Sequence, residues 1–309
     1  MPMIARRTLI AAAGAALLAR PAPAADRRPW VFAFQPQKDP AGIRRAADEM
    51  AAALGARLER EVRVLVPLAY PATVQALVSR QADVAWLSSL PFLLARRDGG
   101  ARLILAEVRT DSQGRARTDY DSVFVVRRDS PLKDFADLKR RAPALAMVFT
   151  SSTSTSGFVF PYDRFIREGM LKPRQPPETL FRQVAYAGGY TQALEQVLAG
   201  RGDVCAVSDY TVEGPRRTVY LPEEKQRELR ILERTPGVPT HLIAVSAAVD
   251  ARNARAIRDA LLDLSRTRPT LLSDVYGASA LAVVDEDRHV AATVRAIERT
   301  GLPIRDLVR

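Results

Sequence analysis

Three observations predict an α/β fold in two similar domains. Short apolar runs alternate with amphipathic helical segments in the order β-α-β-α, which predicts a mostly parallel sheet covered by helices. The chain has 309 residues, enough for two domains. There is also an internal echo. D-V-A-W-L-S at Asp83–Ser88 returns as D-V-C-A-V-S at Asp203–Ser208, each after a helix containing Q-A-L (Gln75–Leu77 and Gln192–Leu194), with a tyrosine, Tyr70 or Tyr190, before each helix. Two similar halves would produce this; so would chance, since Asp-Val after a helix is common. If the halves are real, their polar strand ends face one cleft, because open α/β sheets bind ligands at the carboxyl ends of their strands.

The first segment stands apart from the fold. Met1–Ala25 has a basic start (Arg6, Arg7), an apolar centre (Leu9–Leu18) and a small-residue end, Ala22-Pro23-Ala24. That is the layout of a secretory signal peptide, with the cut expected near Ala24. Arg6-Arg7 is compatible with twin-arginine export, although two arginines are also common in an ordinary basic start. The apolar centre falls short of the ~20 residues of a membrane-spanning helix. No cysteine follows it, so a lipoprotein anchor is not indicated. The mature chain is expected to be soluble and exported.

In chain order, Pro40–Leu58 carries Ile43, Ala46, Ala47, Met50, Leu54 and Leu58 at helical spacing. Val62–Val66 reads as a strand, Pro71–Ser79 as a helix, Asp83–Leu87 as a strand, Leu90–Arg97 as a helix and Arg102–Val108 as a strand. Asp111–Asp119 is polar and reads as a surface loop. Ser122–Arg127 is a strand, Asp137-Leu138 lies in a short helix, and Ala144–Phe149 after Pro143 is a buried strand. Gly157–Glu168 looks helical, with Pro161 tolerated only in a first turn. Lys172–Glu178, with three prolines, is a connector. Tyr190–Gly200 is a helix, Asp203–Ser208 a strand, and Arg230–Glu233 a strand leading into turn-rich Thr235–Thr240. His241–Val245 is a strand, and helices near 254–266, 269–276 and 287–299 finish the chain.

Hydrophobic residues make up 47% of the chain, enough for a sizeable core. Net charge is +11; residues 1–24 hold three arginines and no acids, so the mature chain carries 11 − 3 = +8. Its basic residues are interspersed with acidic ones rather than blocked, unlike a nucleic-acid binder. A general positive field would speed capture of a small anion. The single cysteine, Cys205, has no disulfide partner and sits in apolar Val204–Val207, where a buried thiol is expected. His241 and His289 lie far apart without metal-ligand spacing, so neither a metal nor a cofactor is expected.

Thr150–Ser156 is an unbroken run of hydroxyl residues between the buried strand and the helix, and no Lys or Arg occurs between Ala142 and Tyr162. A helix N-terminus offers unpaired N–H groups and partial positive charge. With Ser154, Thr155 and Ser156 adding donors, such a junction can hold an anion without formal charge. A simple helix cap or a polar loop is the alternative.

Several stretches, in consistent order over residues 30–270, resemble the phosphonate-binding group of periplasmic substrate-binding proteins of ABC transporters. They are Tyr70 sixteen positions before Trp86 in Y-P-A-T-V-Q-A-L…A-D-V-A-W, Tyr120-Asp121-Ser122 before V-F-V-V-R-R-D-S-P, and S-T-S-G at Ser154–Gly157 followed by Pro161. A-G-G-Y…A-L…G-D-V at Ala187–Val204 and P-G-V-P at Pro236–Pro239 complete the set. The resemblance implies a two-lobed periplasmic binding protein of type II, two open α/β sheets joined by a two-strand hinge that closes over ligand. It implies a first lobe of residues 28–122 plus 245–309 and a second of 123–240. It also implies a monomer in the periplasm, with an inner-membrane ABC permease as partner.

By the same resemblance, Ser154, Thr155 and Ser156 hold phosphonate oxygens, and Tyr70 and Tyr120 are the cleft tyrosines; half-buried packing is the other reading of the tyrosines. The chain departs from the family in three places. Tyr190 stands where a histidine is frequent, and can donate to an anion without adding charge. Of two carboxylates that serve an aminoalkyl ligand, one region offers Asp209 and the other His241. This disfavours an ammonium-bearing ligand and favours a smaller or more acidic one, since protonated His241 would attract anions. Asp209 either accepts a hydrogen bond from a protonated ligand oxygen or caps a helix before Tyr210–Gly214.

The leading expectation is capture of a phosphonate, phosphite or related oxyanion for an ABC importer. A second keeps the fold but feeds a sensor kinase, for example with an arsenic species bound through Cys205. A third, a serine hydrolase using Ser156, His241 and Asp209, lacks a G-x-S-x-G elbow.

Overall fold

The computed structural model describes residues 28–303. The expected leader, residues 1–24, lies outside them. In chain order the strands are β1 (Trp30–Phe34), β2 (Val62–Leu65), β3 (Val84–Leu87), β4 (Arg102–Thr110), β5 (Ala116–Arg117), β6 (Asp119–Arg127), β7 (Ala146–Phe149), β8 (Gln183–Tyr186), β9 (Val204–Ser208), β10 (Leu229–Pro239), β11 (Leu242–Val245) and β12 (Ala280–Ala282). The α-helices are α1 (Pro40–Leu58), α2 (Tyr70–Val78), α3 (Ser89–Gly99), α4 (Phe135–Arg141), α5 (Phe160–Arg167), α6 (Tyr190–Leu198), α7 (Glu223–Gln226), α8 (Ala251–Thr267), α9 (Pro269–Tyr276) and α10 (Glu286–Thr300).

Two sheets form. The first runs β2-β1-β3-β11-β4-β12, with β5 also paired to β4, and the second β10-β6-β9-β7-β8. Each contains a parallel core, β2-β1-β3 and β8-β7-β9. The expectation of mostly parallel sheets is corrected, because the strands that arrive from the opposite lobe, β6 and β11, pair antiparallel. They have no crossover helix of their own to reverse direction. The chain leaves the first sheet after β4, enters the second through β6, and returns from β10 into β11. The two crossings are bonded together: Thr240 N donates to Thr118 O (3.0 Å) and Glu107 N to His241 O (2.8 Å).

Several elements differ from the sequence reading. β1, β8 and β12 carried no separate expectation. Thr235–Thr240, expected to be turn-rich, is part of β10. Its register against β6 shifts between Thr235 and Val238, with Gly237 at φ +85° in the break. β10 is an edge strand, where a bulge absorbs Pro236. The helix expected over Gly157–Glu168 is split. A π-helical turn, Thr155–Val159, precedes α5, with Pro161 in the first turn of α5. The wider turn suits a proline that cannot bond to the carbonyl four residues back.

The C-terminal helix is the main departure from the expected division. α10 packs against α5, β10 and the π-turn, elements associated with the second sheet, as well as α3. Arg299 bonds buried Asp163 (2.6 and 3.0 Å), and Arg174 N donates to Thr300 O (2.9 Å). At its other end Glu286 accepts from Arg96 (2.7 Å) and Leu103 N (2.9 Å) of the first lobe. It therefore spans both lobes rather than belonging to the first.

Gly157 sits at the tightest point of the strand-to-helix junction. A Cβ there would stand 2.2 Å from Thr150 Oγ1 and 2.4 Å from Thr150 Cβ. Thr150 cannot swing away without losing its bond to Ala206 O (2.9 Å). Gly157→Ala is expected to cost about 1–3 kcal/mol as an overpacked site. A lowered urea midpoint at unchanged slope would show it, and an unmoved midpoint would contradict it.

Candidate functional site

Tyr70 and Tyr190 are the first residues of α2 and α6. Their N-caps, Ala69 and Gly189, make no side-chain capping bond; the first N–H of α6, that of Tyr190, is taken instead by Gln37 O (2.8 Å). Ser154 caps the π-turn, its Oγ accepting from Gly157 N (3.0 Å). Tyr120 comes from β6, at the crossing.

These segments bring hydroxyls together. Ser156 Oγ lies 2.9 Å from the Tyr190 hydroxyl and accepts from the Tyr120 hydroxyl at 3.2 Å. All three residues are buried, as is Tyr70. Among the described residues the Tyr70 hydroxyl and the Nε2 atoms of Gln35, Gln37 and His241 meet no partner in full hydrogen-bond geometry, although the Gln35 side chain lies close enough to Tyr70 to offset part of the effect of its burial. Burial holds the phenols of Tyr70 and Tyr120 well above their ordinary range, so both keep their protons as donors. The amide of Gln35 is oriented by its Oε1, which accepts from Ser88 N (3.1 Å), so its NH2 group faces the Tyr70 oxygen.

The lobes touch across this space. Tyr190 N donates to Gln37 O (2.8 Å) and the Tyr220 hydroxyl to Tyr276 O (2.8 Å). Thr155 is part of the same contact: its Oγ1 accepts from Leu90 N (2.9 Å) at the start of α3. Of the three hydroxyls expected to act alike, Ser156 joins the tyrosines, Ser154 caps its own turn and Thr155 reaches the other lobe.

An aromatic wall closes one side. Tyr210 packs against Tyr120, Tyr190, Tyr220 and His241, with ring centroids 5.0–6.3 Å apart. Arg109 lies 3.6 Å over the Tyr210 ring and pairs with Glu107 at 2.7 Å. Glu107 also accepts from Trp86 Nε1 (2.9 Å). Burial pushes the Glu107 carboxyl up, against the pull of Arg109 and the Trp86 N–H. Lys38, buried in the loop between β1 and α1, donates to Asp274 O (3.1 Å), and burial lowers its pKa to about 8.

Two expectations change here. His241 is fully buried, and burial plus nearby Arg109 hold its pKa well below the ordinary range, so it is neutral and supplies no positive charge. Asp209 turns to the backbone, its carboxylate accepting from Tyr210 N (2.7 Å) and Asp121 N (3.2 Å). Burial pushes its pKa up to about 7. The hydrolase arrangement is not assembled: Ser156 bonds tyrosines, His241 Nδ1 lies 3.3 Å from the Tyr210 hydroxyl, and Asp209 holds amides. Cys205 is buried with its thiol pKa raised, and no cluster of metal-ligating side chains occurs among the described residues.

Sequence reading missed Gln35, Gln37, Glu107 and Arg109. The last two had a signal, since residues two apart in the apolar strand L-I-L-A-E-V-R share one face. Gln35 and Gln37 follow a strand that was not recognised.

Two open α/β lobes, joined by two crossing strands and enclosing donors from both sides, define a periplasmic-binding-protein architecture. The profile of the family described as ABC transporter, phosphonate, periplasmic substrate-binding protein matches residues 32–297, and the chain belongs to this family. It is 25% identical over 171 residues to a phosphonates-binding periplasmic protein of Escherichia coli K12, covering 55% of this chain and 46% of that one. It is 23% identical over 175 residues to a probable ABC transporter phosphite binding protein of Prochlorococcus marinus MIT 9301, covering 54% of this chain and 56% of that one. The chain thus spans about half the length of the curated relatives it matches. Among solved structures, a binding-protein component of an ABC phosphonate transporter from Pseudomonas aeruginosa superposes with TM-score 0.75 at 16% identity, covering 91% of this chain and 95% of that one. The Prochlorococcus marinus protein PhnD1, in complex with methylphosphonate, superposes with TM-score 0.73 at 16% identity, covering 87% and 98%. No helix of the described residues is long and apolar enough to cross a membrane.

Buried His241 and Asp209 make opposite contributions to stability as pH falls. Below about pH 6.5 the unfolded chain protonates this histidine and the folded one does not, so its share of stability is lost on acidification. Asp209, with its folded pKa raised to about 7, binds its proton before the unfolded chain does, so its share is gained as pH falls from about 7 to about 4. Thermal melts across this range should show His241→Gln flattening the acid loss and Asp209→Asn steepening it. Parallel profiles for wild type and both variants would contradict the two assignments.

Proposed function

We propose that this protein is an exported solute-binding protein. It closes its lobes on a small phosphorus oxyanion of the phosphonate or phosphite class and delivers it to the membrane permease of an ABC importer. The observation that carries this reading is the convergence of buried, uncharged donors from both lobes on one space. Tyr70, Tyr120, Ser156 and Tyr190 supply hydroxyls there, and Gln35 an amide. A buried donor without a partner is costly, and an anion with several acceptor oxygens satisfies many at once.

Thr155 and the cap of Ser154 present the π-turn to the same ligand, and His241 and Asp209 border it. Membership of the family, the naming of relatives for phosphonates and phosphite, and the methylphosphonate held by a protein of the same fold all support the choice of ligand. The leader-like residues 1–24 support export. The sensor reading loses its specific carrier, since Cys205 lies buried in β9 as a protonated thiol.

The site also favours a ligand without an ammonium group. Glu107 is occupied by Arg109 and Trp86, and Asp209 by backbone amides. Neither carboxylate is free to receive a cation.

Calorimetry of the mature protein with methylphosphonate, phosphite, phosphate, sulfate and aminoethylphosphonate tests the reading. Methylphosphonate or phosphite should bind, and aminoethylphosphonate more weakly. Ser156→Ala should lose about 1.5–3 kcal/mol, at least about tenfold in Kd, for a hydrogen bond to a charged group. Failure of every phosphorus compound at millimolar concentration would refute the proposal.

A further inference from the structure

Thr155 is the one hydroxyl of the π-turn bonded to the opposite lobe, and its surroundings fix what it can offer. Its Oγ1 accepts from Leu90 N at 2.9 Å and from Ser89 Oγ at 3.3 Å. Ser89 Oγ is in turn 2.7 Å from Thr293 Oγ1 on α10. All three hydroxyl residues are fully buried. A threonine oxygen has two acceptor sites and one proton. The Leu90 amide can only donate, and with Ser89 donating as well both acceptor sites of Thr155 are used. For Ser89 to spend its proton on Thr155, Thr293 must supply the proton of the 2.7 Å contact. The three hydroxyls then point one way, from α10 through α3 to the π-turn.

We infer that Ser89 and Thr293 are positioning residues that hold the Thr155 hydroxyl as a donor toward the bound oxyanion, so that α10 takes part in ligand recognition without touching the ligand. The inference rests on the reading of the cleft as an oxyanion site. Its physical basis is that chained hydroxyls polarise one another, so a donor at the end of such a chain is strengthened. The chain is complete only when the lobes meet, because Ser89 and Leu90 belong to the first lobe and Thr155 to the second. Closure therefore does more than exclude water: it removes the acceptor capacity of Thr155 and leaves its proton for the ligand. α10 is anchored at both ends, by Glu286 to the first lobe and Arg299 to the second, which places Thr293 at a fixed height beside Ser89.

The test compares wild type, Thr293→Val, Thr293→Ser and Ser89→Ala in the full mature protein. Methylphosphonate affinity is read by calorimetry, and protection of the Leu90 amide by hydrogen exchange with methylphosphonate at saturation. Thr293→Val keeps the side-chain shape and should weaken binding about five- to tenfold, the scale of a charge-assisted hydrogen bond partly lost. Thr293→Ser should restore the affinity to within about twofold, because the hydroxyl and not the methyl group carries the effect. Ser89→Ala should weaken binding by a similar factor while the Leu90 amide stays protected, since its own bond to Thr155 is intact. Unchanged affinity in Thr293→Val, or equal losses in Thr293→Val and Thr293→Ser, would overturn the inference while the proposed function stands. An exposed, rapidly exchanging Leu90 amide in the methylphosphonate-saturated wild type would also overturn it. Absence of wild-type binding to any phosphorus oxyanion would instead remove the functional reading and the inference with it.

Discussion

The contact on which the structure turns is the hydrogen-bonded set Tyr120–Ser156–Tyr190, with Tyr70 beside it. It joins the crossing strand β6, the π-turn and the start of α6 in a space the first lobe seals. Burying several hydroxyls together is unfavourable unless they are paired. The fold accepts this cost because both sheets end at the same place. The parallel core of each sheet delivers its strand ends, and the first turn of the following helix, to the crevice. The crossing strands then bond to each other and hold the two ends in register.

The chemistry of the crevice is one of dipoles rather than charges. Arg109 is buried nearby, but Glu107 neutralises it and the Tyr210 face covers it. His241 is kept neutral by the same burial and by that guanidinium. What remains is a group of O–H and N–H donors at helix starts without side-chain caps. In a buried site such donors act strongly on an anion, because the low dielectric strengthens each of them. A fixed cation would hold an anion more tightly but would discriminate less by shape. Under the proposed function, donors spread over both lobes would have to be satisfied together by one ligand, which would couple recognition to closure.

Much of this was legible in the sequence. The strand–helix alternation, the repeated D-V strand with its preceding tyrosine, and the hydroxyl run ahead of Pro161 are local patterns, and local patterns place Tyr70, Tyr120, Tyr190 and Ser156. What was not legible depends on partners far along the chain. Glu107 and Arg109 read as ordinary strand charges until Trp86 and Tyr210 are seen against them. The charge of His241 follows from its burial, which no neighbouring residue announces. α10 looked like one more helix of the first lobe, yet Asp163, which binds Arg299, lies 136 residues earlier. Thr155 was read with its neighbours as a ligand hydroxyl, and its bond to Leu90 needed the other lobe in place.

A crystal structure of the protein with methylphosphonate tests the central claim most directly. The account predicts phosphonate oxygens within hydrogen-bonding distance of the Ser156, Tyr70, Tyr120 and Tyr190 hydroxyls, with Arg109 still paired to Glu107. A ligand seated outside the crevice, or held there by an arginine released from its carboxylate, would contradict it.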